Sequence, residues 1–165
     1  MQLNPWLARR VFAVVAALMI GEPAGAATAA GPFVGFEGLW WGNGVVTYAS
    51  GTREPVRCRV QYVQNSVDNL QQALRCASDS YKFEINAYFE HANGTISGRW
   101  SEVSRDVSGT VTAGLSDGRI DGTLTGPGFA VAFVLTITGN RQSVIMESDE
   151  QEIRAVAINL RKTSN

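Results

Sequence analysis

Short runs in which apolar and polar residues alternate, separated by turn signals, fill the chain from residue 38 onward. Pairs such as Asn93-Gly94, Asp117-Gly118 and Gly139-Asn140 provide the turn chemistry between these runs. Runs that recur about every 8–12 residues are typical of the strands of sandwiches and barrels. We therefore predict an all-β fold, an antiparallel up-and-down meander of about eight to ten strands that closes into a barrel. The predicted strands lie near residues 38–48, 55–64, 70–77, 81–90, 95–103, 106–114, 119–125, 129–138, 142–148 and 153–161.

The two cysteines of the chain, Cys58 and Cys76, lie in neighbouring predicted strands. A hairpin that turns at Val67 places them directly opposite each other, and the same register pairs Val60 with Leu74. One face of the hairpin is then largely apolar and the other polar, as a half-buried antiparallel pair requires. The cysteines have no C-x-x-C spacing and no histidine partners, so a redox centre or a zinc site does not account for them. Because directly opposed residues come close enough to bond, we predict one structural disulfide.

Three later strands share a pattern with glycine at its centre, at Gly98, Gly109 and Gly122. Glycine weakens a strand interior unless the sheet bends there or another group approaches closely. If these glycines oppose one another, they form a row across neighbouring strands, which we interpret as a line along which the sheet bends toward closure. A binding groove lined by backbone is the alternative interpretation.

The first 26 residues have the pattern of a signal peptide. Arg9 and Arg10 precede the apolar run VFAVVAALMI, which is too short to span a bilayer as a helix, and small residues follow it. Cleavage is expected after Ala26, or as late as residue 29. We expect a flexible N-terminal segment over residues 27–36 and a single β-barrel domain over residues 37–163. The mature protein would be periplasmic or secreted, by the general secretory or the twin-arginine route, with no transmembrane segment.

The charge balance and the single histidine limit the classes of function. The formal net charge of −1 provides no basic surface of the kind that binding to nucleic acid requires. His91 is placed in a predicted turn, away from any serine or cysteine that it could activate. We therefore predict that the protein is not an enzyme, and we expect no metal site and no cofactor.

The candidate ligand-binding residues are aromatic side chains assigned to the barrel interior and one carboxylate that shares a strand face with Trp100. Small barrels of about eight strands are either filled by their own side chains or hold one small ligand. The sequence alone leaves both possibilities open. The candidate residues are Trp40, Trp100, Tyr48, Phe83, Phe133 and Glu102.

Gly38-Leu39-Trp40 at the head of the first strand, followed by a continuous meander, resembles the opening of lipocalin-like (calycin-type) barrels. The resemblance implies that Trp40 packs across a closed end of the barrel, beneath a basic residue of the last strand. Arg161 or Lys162 would be that residue, in a cation–π contact. The mature chain as a whole is similar to small exported alphaproteobacterial β-barrel proteins of unknown function.

Two further resemblances concern ligands and partners. Trp41-Gly42-Asn43-Gly44 resembles the opening of haem-binding nitrobindin barrels, but those barrels need an axial histidine inside, which the predicted position of His91 does not provide. The plan of an exported barrel with one disulfide is similar to that of periplasmic metalloprotease inhibitors. That similarity implies a protein partner bound through residues 27–36.

Taken together, these features predict an exported, non-enzymatic β-barrel that binds a small apolar ligand or a cell-envelope component. Two alternatives remain open at this level. One is a protein-binding module, such as a periplasmic protease inhibitor that acts through residues 27–36. The other is a purely structural envelope protein with a filled barrel.

Overall fold

The computed structural model describes residues 31–79, 81–149 and 151–163. The predicted signal peptide, its cleavage sites and residues 27–30 lie outside the described residues. The described chain forms ten strands: β1 (Gly38–Tyr48), β2 (Arg53–Ser66), β3 (Asn69–Ala77), β4 (Lys82–Ala92), β5 (Thr95–Glu102), β6 (Val107–Ser116), β7 (Arg119–Gly126), β8 (Phe129–Thr138), β9 (Arg141–Glu147) and β10 (Ile153–Lys162). None of the described residues form a helix long and apolar enough to cross a membrane.

Each strand pairs with the next in antiparallel fashion, and β10 returns to pair with β1. Gly44 of β1, for example, lies opposite Ile158 of β10 on one side and Val56 of β2 on the other. The sheet is therefore a closed barrel with up-and-down order and no free edge. This confirms the predicted fold class.

The disulfide joins Cys58 and Cys76, with a sulfur–sulfur distance of 2.03 Å. The predicted register of this hairpin is confirmed, since Cys58 lies opposite Cys76 and Val60 lies opposite Leu74. Both cysteines belong to the buried core. A disulfide is typical of proteins in non-reducing compartments.

The three glycines do not form a row, which corrects that prediction. Gly98 lies opposite Val111 and Gly109 lies opposite Trp100, and Gly122 lies opposite Ala113. The physical requirement at Gly109 is close approach, because a Cβ atom there would lie 1.8 Å from the Thr125 carbonyl oxygen and 2.8 Å from Trp100 Nε1. Gly109 thus lies opposite Trp100, whose indole packs over it, and not opposite another glycine.

Residues 31–36 cover one end of the barrel, which we call the floor. At the start of this segment, Gly31 lies against Val67 in the β2–β3 turn. Toward its end, Gly35 lies near Ile137 at the end of β8. The side chains of Phe33 and Phe36 point into the barrel and are buried. Residues 31–36 are therefore packed, because their two phenylalanines have an apolar interior to enter. The flexibility predicted over 27–36 stays a prediction.

Trp40 is fully buried beside this segment, and its indole Nε1 donates a 2.8 Å hydrogen bond to the Phe36 carbonyl oxygen. Lys162 of β10 lies over the indole, with Nζ 5.5 Å from the ring centroid, and donates to the Gly35 carbonyl oxygen at 3.1 Å. The basic residue implied by the lipocalin-like resemblance is thus Lys162. Arg161, which lies opposite Trp41, points to the other face of the sheet.

Candidate ligand-binding site

The barrel encloses a cavity of about 420 Å³. Every strand from β2 to β10 contributes to its wall, and the wall is predominantly apolar. The reason is the alternation of side chains along each strand, which turns one apolar row of every strand inward. The middle of the wall includes Leu74, Ile85, Trp100, Val111, Leu124, Val131, Phe133 and Val144.

Strand β1 contributes nothing to this wall, because its neighbours close over it. Its inward positions include Gly42 and Gly44, and a Cβ atom on Gly44 would lie 2.9 Å from Ile158 Cγ1 and 3.2 Å from Val56 Cγ2. Strands β2 and β10 thus bring their side chains together above the glycines of β1. The cavity is displaced toward the opposite side of the barrel.

The end of the barrel opposite the floor, which we call the mouth, carries all the charged residues that line the cavity. They belong to the β5–β6 and β9–β10 connections and the strand ends beside them. Both signs of charge are present, so the mouth has no single-sign field that would select strongly for an anion or a cation. The residues are Glu102, Arg105, Glu147, Glu152 and Arg154.

Glu102 is the buried carboxylate of the mouth, with 7% of its surface exposed. Its Oε1 accepts a 3.0 Å hydrogen bond from the Glu84 backbone N–H, and its Oε2 accepts one of 2.7 Å from the Arg105 backbone N–H. Burial raises the pKa of Glu102, but the hydrogen bonds from Glu84, Arg105 and Ser104 outweigh it and leave the pKa below its ordinary value. The carboxylate is therefore ionised at neutral pH and organises the β5–β6 turn.

Arg105 and Tyr81 form the other ordered contact at the mouth. The guanidinium of Arg105 lies 4.5 Å from the centroid of the Tyr81 ring and 3.5 Å from Glu102 Oε2. Burial raises the pKa of Tyr81, and the nearby guanidinium partly opposes that rise. The phenol therefore stays neutral at physiological pH, and its ring packs against Phe83 with the ring centroids 6.0 Å apart.

The floor contains a buried polar pair, Tyr62 and Gln142, and a third polar residue, Gln72, lines the cavity opposite Tyr62. Gln142 Nε2 donates a 2.8 Å hydrogen bond to the Tyr62 hydroxyl oxygen. The Tyr62 ring packs edge-on against Phe36, with centroids 5.3 Å apart. These residues place hydrogen-bonding groups in the floor, beneath a wall that is predominantly apolar.

Four of the six residues proposed from the sequence line the cavity: Trp100, Phe83, Phe133 and Glu102. The other two, Trp40 and Tyr48, lie on β1 and do not line it. Trp40 is buried beside the floor segment, and the Tyr48 hydroxyl donates a 3.0 Å hydrogen bond to Glu54 Oε2. Their position on the inward face of β1 was predicted correctly, but no pattern in the sequence indicated that β2 and β10 close over that strand.

His91 is not in a turn, which corrects its predicted position. It lies in β4, one residue before the end of the strand, and its Nδ1 is 3.5 Å from Asp68 Oδ1. It is not among the residues that line the cavity.

Sequence reasoning missed Tyr62, Gln142 and Arg105. The signal for Tyr62 was present, because it shares a strand face with Cys58 and Val60. Gln142 is two residues before the inward-facing Val144, so the same alternation would have found it. Arg105 lies in a turn, where no such periodicity applies.

No family model and no curated protein matches the chain. Among solved structures, the chain is similar to Rv2717c from M. tuberculosis, with a TM-score of 0.61 and 13% identity over 78% of this chain and 92% of that one. It is also similar to the S-type phycobiliprotein lyase CPES from Guillardia theta, with a TM-score of 0.59 and 10% identity over 79% of this chain and 89% of that one. At these identities the similarity concerns the fold.

The described residues thus form a closed antiparallel β-barrel with a floor, a mouth and a predominantly apolar interior. The lipocalin-like resemblance agrees with this fold and stays a resemblance. The alphaproteobacterial origin and the export of the chain stay predictions.

Proposed function

We propose that the protein is an exported, non-enzymatic barrel that binds one small, mainly apolar ligand, such as a component of the cell envelope. The observation that carries the proposal is the apolar cavity of about 420 Å³. Ligand sites in proteins commonly measure about 300–1,000 Å³ and combine apolar walls with a few polar groups. A periplasmic or extracellular location is supported by the disulfide and by the signal-peptide pattern of the sequence.

A non-enzymatic role is supported by how the polar groups of the site are used. The carboxylate of Glu102 already accepts hydrogen bonds from its own turn and is ionised at neutral pH, so it is a poor proton donor. The two tyrosines of the cavity, Tyr62 and Tyr81, have raised pKa values and stay protonated. The similarity to a phycobiliprotein lyase concerns the barrel fold and assigns no role to this chain.

The two alternatives are less well supported. A protease inhibitor acting through residues 27–36 would have to present that segment to its partner, whereas Phe33 and Phe36 are buried in the barrel. A purely structural protein with a filled barrel is at odds with the volume of the cavity. Neither alternative explains why the polar pair of the floor faces the interior.

The proposal is tested by titrating the mature protein with Nile red, an uncharged dye whose fluorescence rises in apolar surroundings. Val131 lines the cavity, and its neighbour Ala132 is exposed on the outer face of the same strand. Val131→Trp fills part of the cavity and should weaken dye binding about tenfold or more, whereas Ala132→Trp should leave it unchanged. Leu124→Phe is a smaller filling change in case Val131→Trp does not fold.

Native mass spectrometry of protein purified from its own host gives a second measurement. We expect a retained lipophilic molecule at a ratio of one per chain, and its loss in the Val131→Trp variant. Dye binding that is equal in the Val131→Trp and Ala132→Trp variants, with both folded by circular dichroism, would overturn the cavity as the site.

A further inference from the structure

The polar pair of the floor has unused hydrogen-bonding capacity. Gln142 and Tyr62 are each only 2% exposed, and both line the cavity. Gln142 Nε2 donates to the Tyr62 oxygen, but Gln142 Oε1 is buried and has no hydrogen-bond partner among the described residues. A buried acceptor without a partner is costly, and such groups in native proteins point to something that satisfies them.

The Tyr62 hydroxyl complements this acceptor. Its oxygen accepts from Gln142, which leaves its own O–H to donate. Burial raises the pKa of Tyr62 far above its ordinary value, against the smaller lowering effect of the Gln142 hydrogen bond, so the donor is retained at any physiological pH. The buried pair therefore offers one acceptor and one donor side by side.

Among the described residues that line the floor, none carries a charge to match a charged ligand group. Each charged residue that lines the cavity belongs to the mouth, at the far end of the barrel. Lys162, a cation of the floor region, donates to the Gly35 carbonyl oxygen and lies over Trp40, outside the residues that line the cavity. A carboxylate placed beside Tyr62 would be buried without a cation, which is strongly unfavourable.

We propose that the ligand is an apolar alcohol that enters hydroxyl first, donating a hydrogen bond to Gln142 Oε1 and accepting one from the Tyr62 O–H. This inference rests on the proposed binding function and adds the chemical class and the orientation of the ligand. A hydroxyl both donates and accepts, so it also satisfies the pair if the Gln142 amide is turned over. The apolar part of the ligand then fills the cavity between the floor and the mouth.

The experiment compares three probes of similar length in the displacement of Nile red: decanol, nonyl methyl ether and decanoate. The ether accepts a hydrogen bond but cannot donate one, and decanoate carries a charge at neutral pH. We expect decanol to bind about tenfold or more tightly than either, because only decanol satisfies both groups of the floor without burying a charge.

Two variants then test whether Gln142 and Tyr62 cause the preference for decanol. In Gln142→Met combined with Tyr62→Phe, the preference for decanol over the ether should fall to about twofold or less, while binding of Nile red persists. Ile145→Val, which changes an exposed residue on the outer face of the same strand as Gln142, is the matched control and should keep the preference.

The outcomes separate this inference from the proposed function. Binding of Nile red with no preference for decanol, or with decanoate as the tightest probe, overturns the alcohol while the binding function stands. Absence of binding of all probes by the folded wild-type protein overturns both. A preference that survives in the double variant also overturns the assignment to Gln142 and Tyr62.

Discussion

Glu102 shows how one side chain can shape the mouth of the barrel. It ends β5, and its two carboxylate oxygens reach the backbone of β4 at Glu84 and of the following turn at Arg105. Asp106, at the end of that turn, has a positive φ of 53°, so the turn is tightly folded. The ionised carboxylate thus holds the β5–β6 turn in place at the mouth, where a ligand would enter.

Glu102→Gln should destabilise the protein by about 1.5–3 kcal/mol at pH 7, because backbone donors would lose a charged acceptor and face an amide N–H₂. The pKa of Glu102 is lower in the folded protein than in the unfolded chain. Its contribution is therefore complete well above the unfolded pKa of about 4.3 and is lost as the pH falls through the folded pKa. Urea unfolding across this range measures the difference between the two proteins.

The matched control is Asp121→Asn. Asp121 is about half exposed and forms an ion pair with Arg119 at 2.7 Å, so its loss should cost no more than about 1 kcal/mol. A difference between wild type and Glu102→Gln that stays constant from pH 7 to pH 3 would show that the carboxylate charge is not what stabilises the turn.

At the level of elements, the β2–β3 hairpin is the part of the fold most strongly constrained by covalent chemistry. The disulfide closes a loop with a sequence separation of 18 residues. We expect the Cys58→Ala and Cys76→Ala double variant to lose about 3 kcal/mol of unfolding free energy or more, because the unfolded chain gains freedom and the core loses two sulfur atoms. Urea unfolding with and without dithiothreitol measures both effects.

Reductant provides the control for this prediction. Dithiothreitol should lower the urea midpoint of the wild type toward that of the double variant and leave the double variant unchanged. Equal midpoints for wild type and double variant without reductant would contradict a stabilising role for the disulfide.

Hairpin registers were predicted correctly from the sequence where a turn or a disulfide specified them. They were predicted poorly where only a repeated pattern did. The β2–β3 register was confirmed, since a shift of one residue would have moved Cys58 to the outer face. The predicted row of glycines was wrong because the turn between β6 and β7 sets a different register. Asp117 and Gly118 both have positive φ, at 48° and 76°, and form a tight two-residue turn that displaces Gly122 from Gly109.

At the scale of the whole molecule, side-chain alternation predicted which residues point inward but could not predict whether the interior is hollow. Phe83, Trp100 and Phe133 were placed inside correctly. Trp40 and Tyr48 also face inward, yet they lie on a strand that its neighbours cover. Cavity volume depends on the packing of all ten strands and of the floor segment, and no local pattern in one chain encodes it.

Residues 31–36, the floor segment, close one end of the barrel, and their effect on stability can be measured. Phe36 is 2% exposed and contacts both Tyr62 and Phe33, whereas Val34, two residues earlier, is 59% exposed. Phe36→Ala should lose about 3–5 kcal/mol of unfolding free energy, because it removes a buried aromatic ring and leaves a cavity. Val34→Ala should change stability by no more than about 0.5 kcal/mol. Urea unfolding of the mature protein measures both, and equal, small losses would mean that residues 31–36 do not pack as the floor and that the interior is open at both ends.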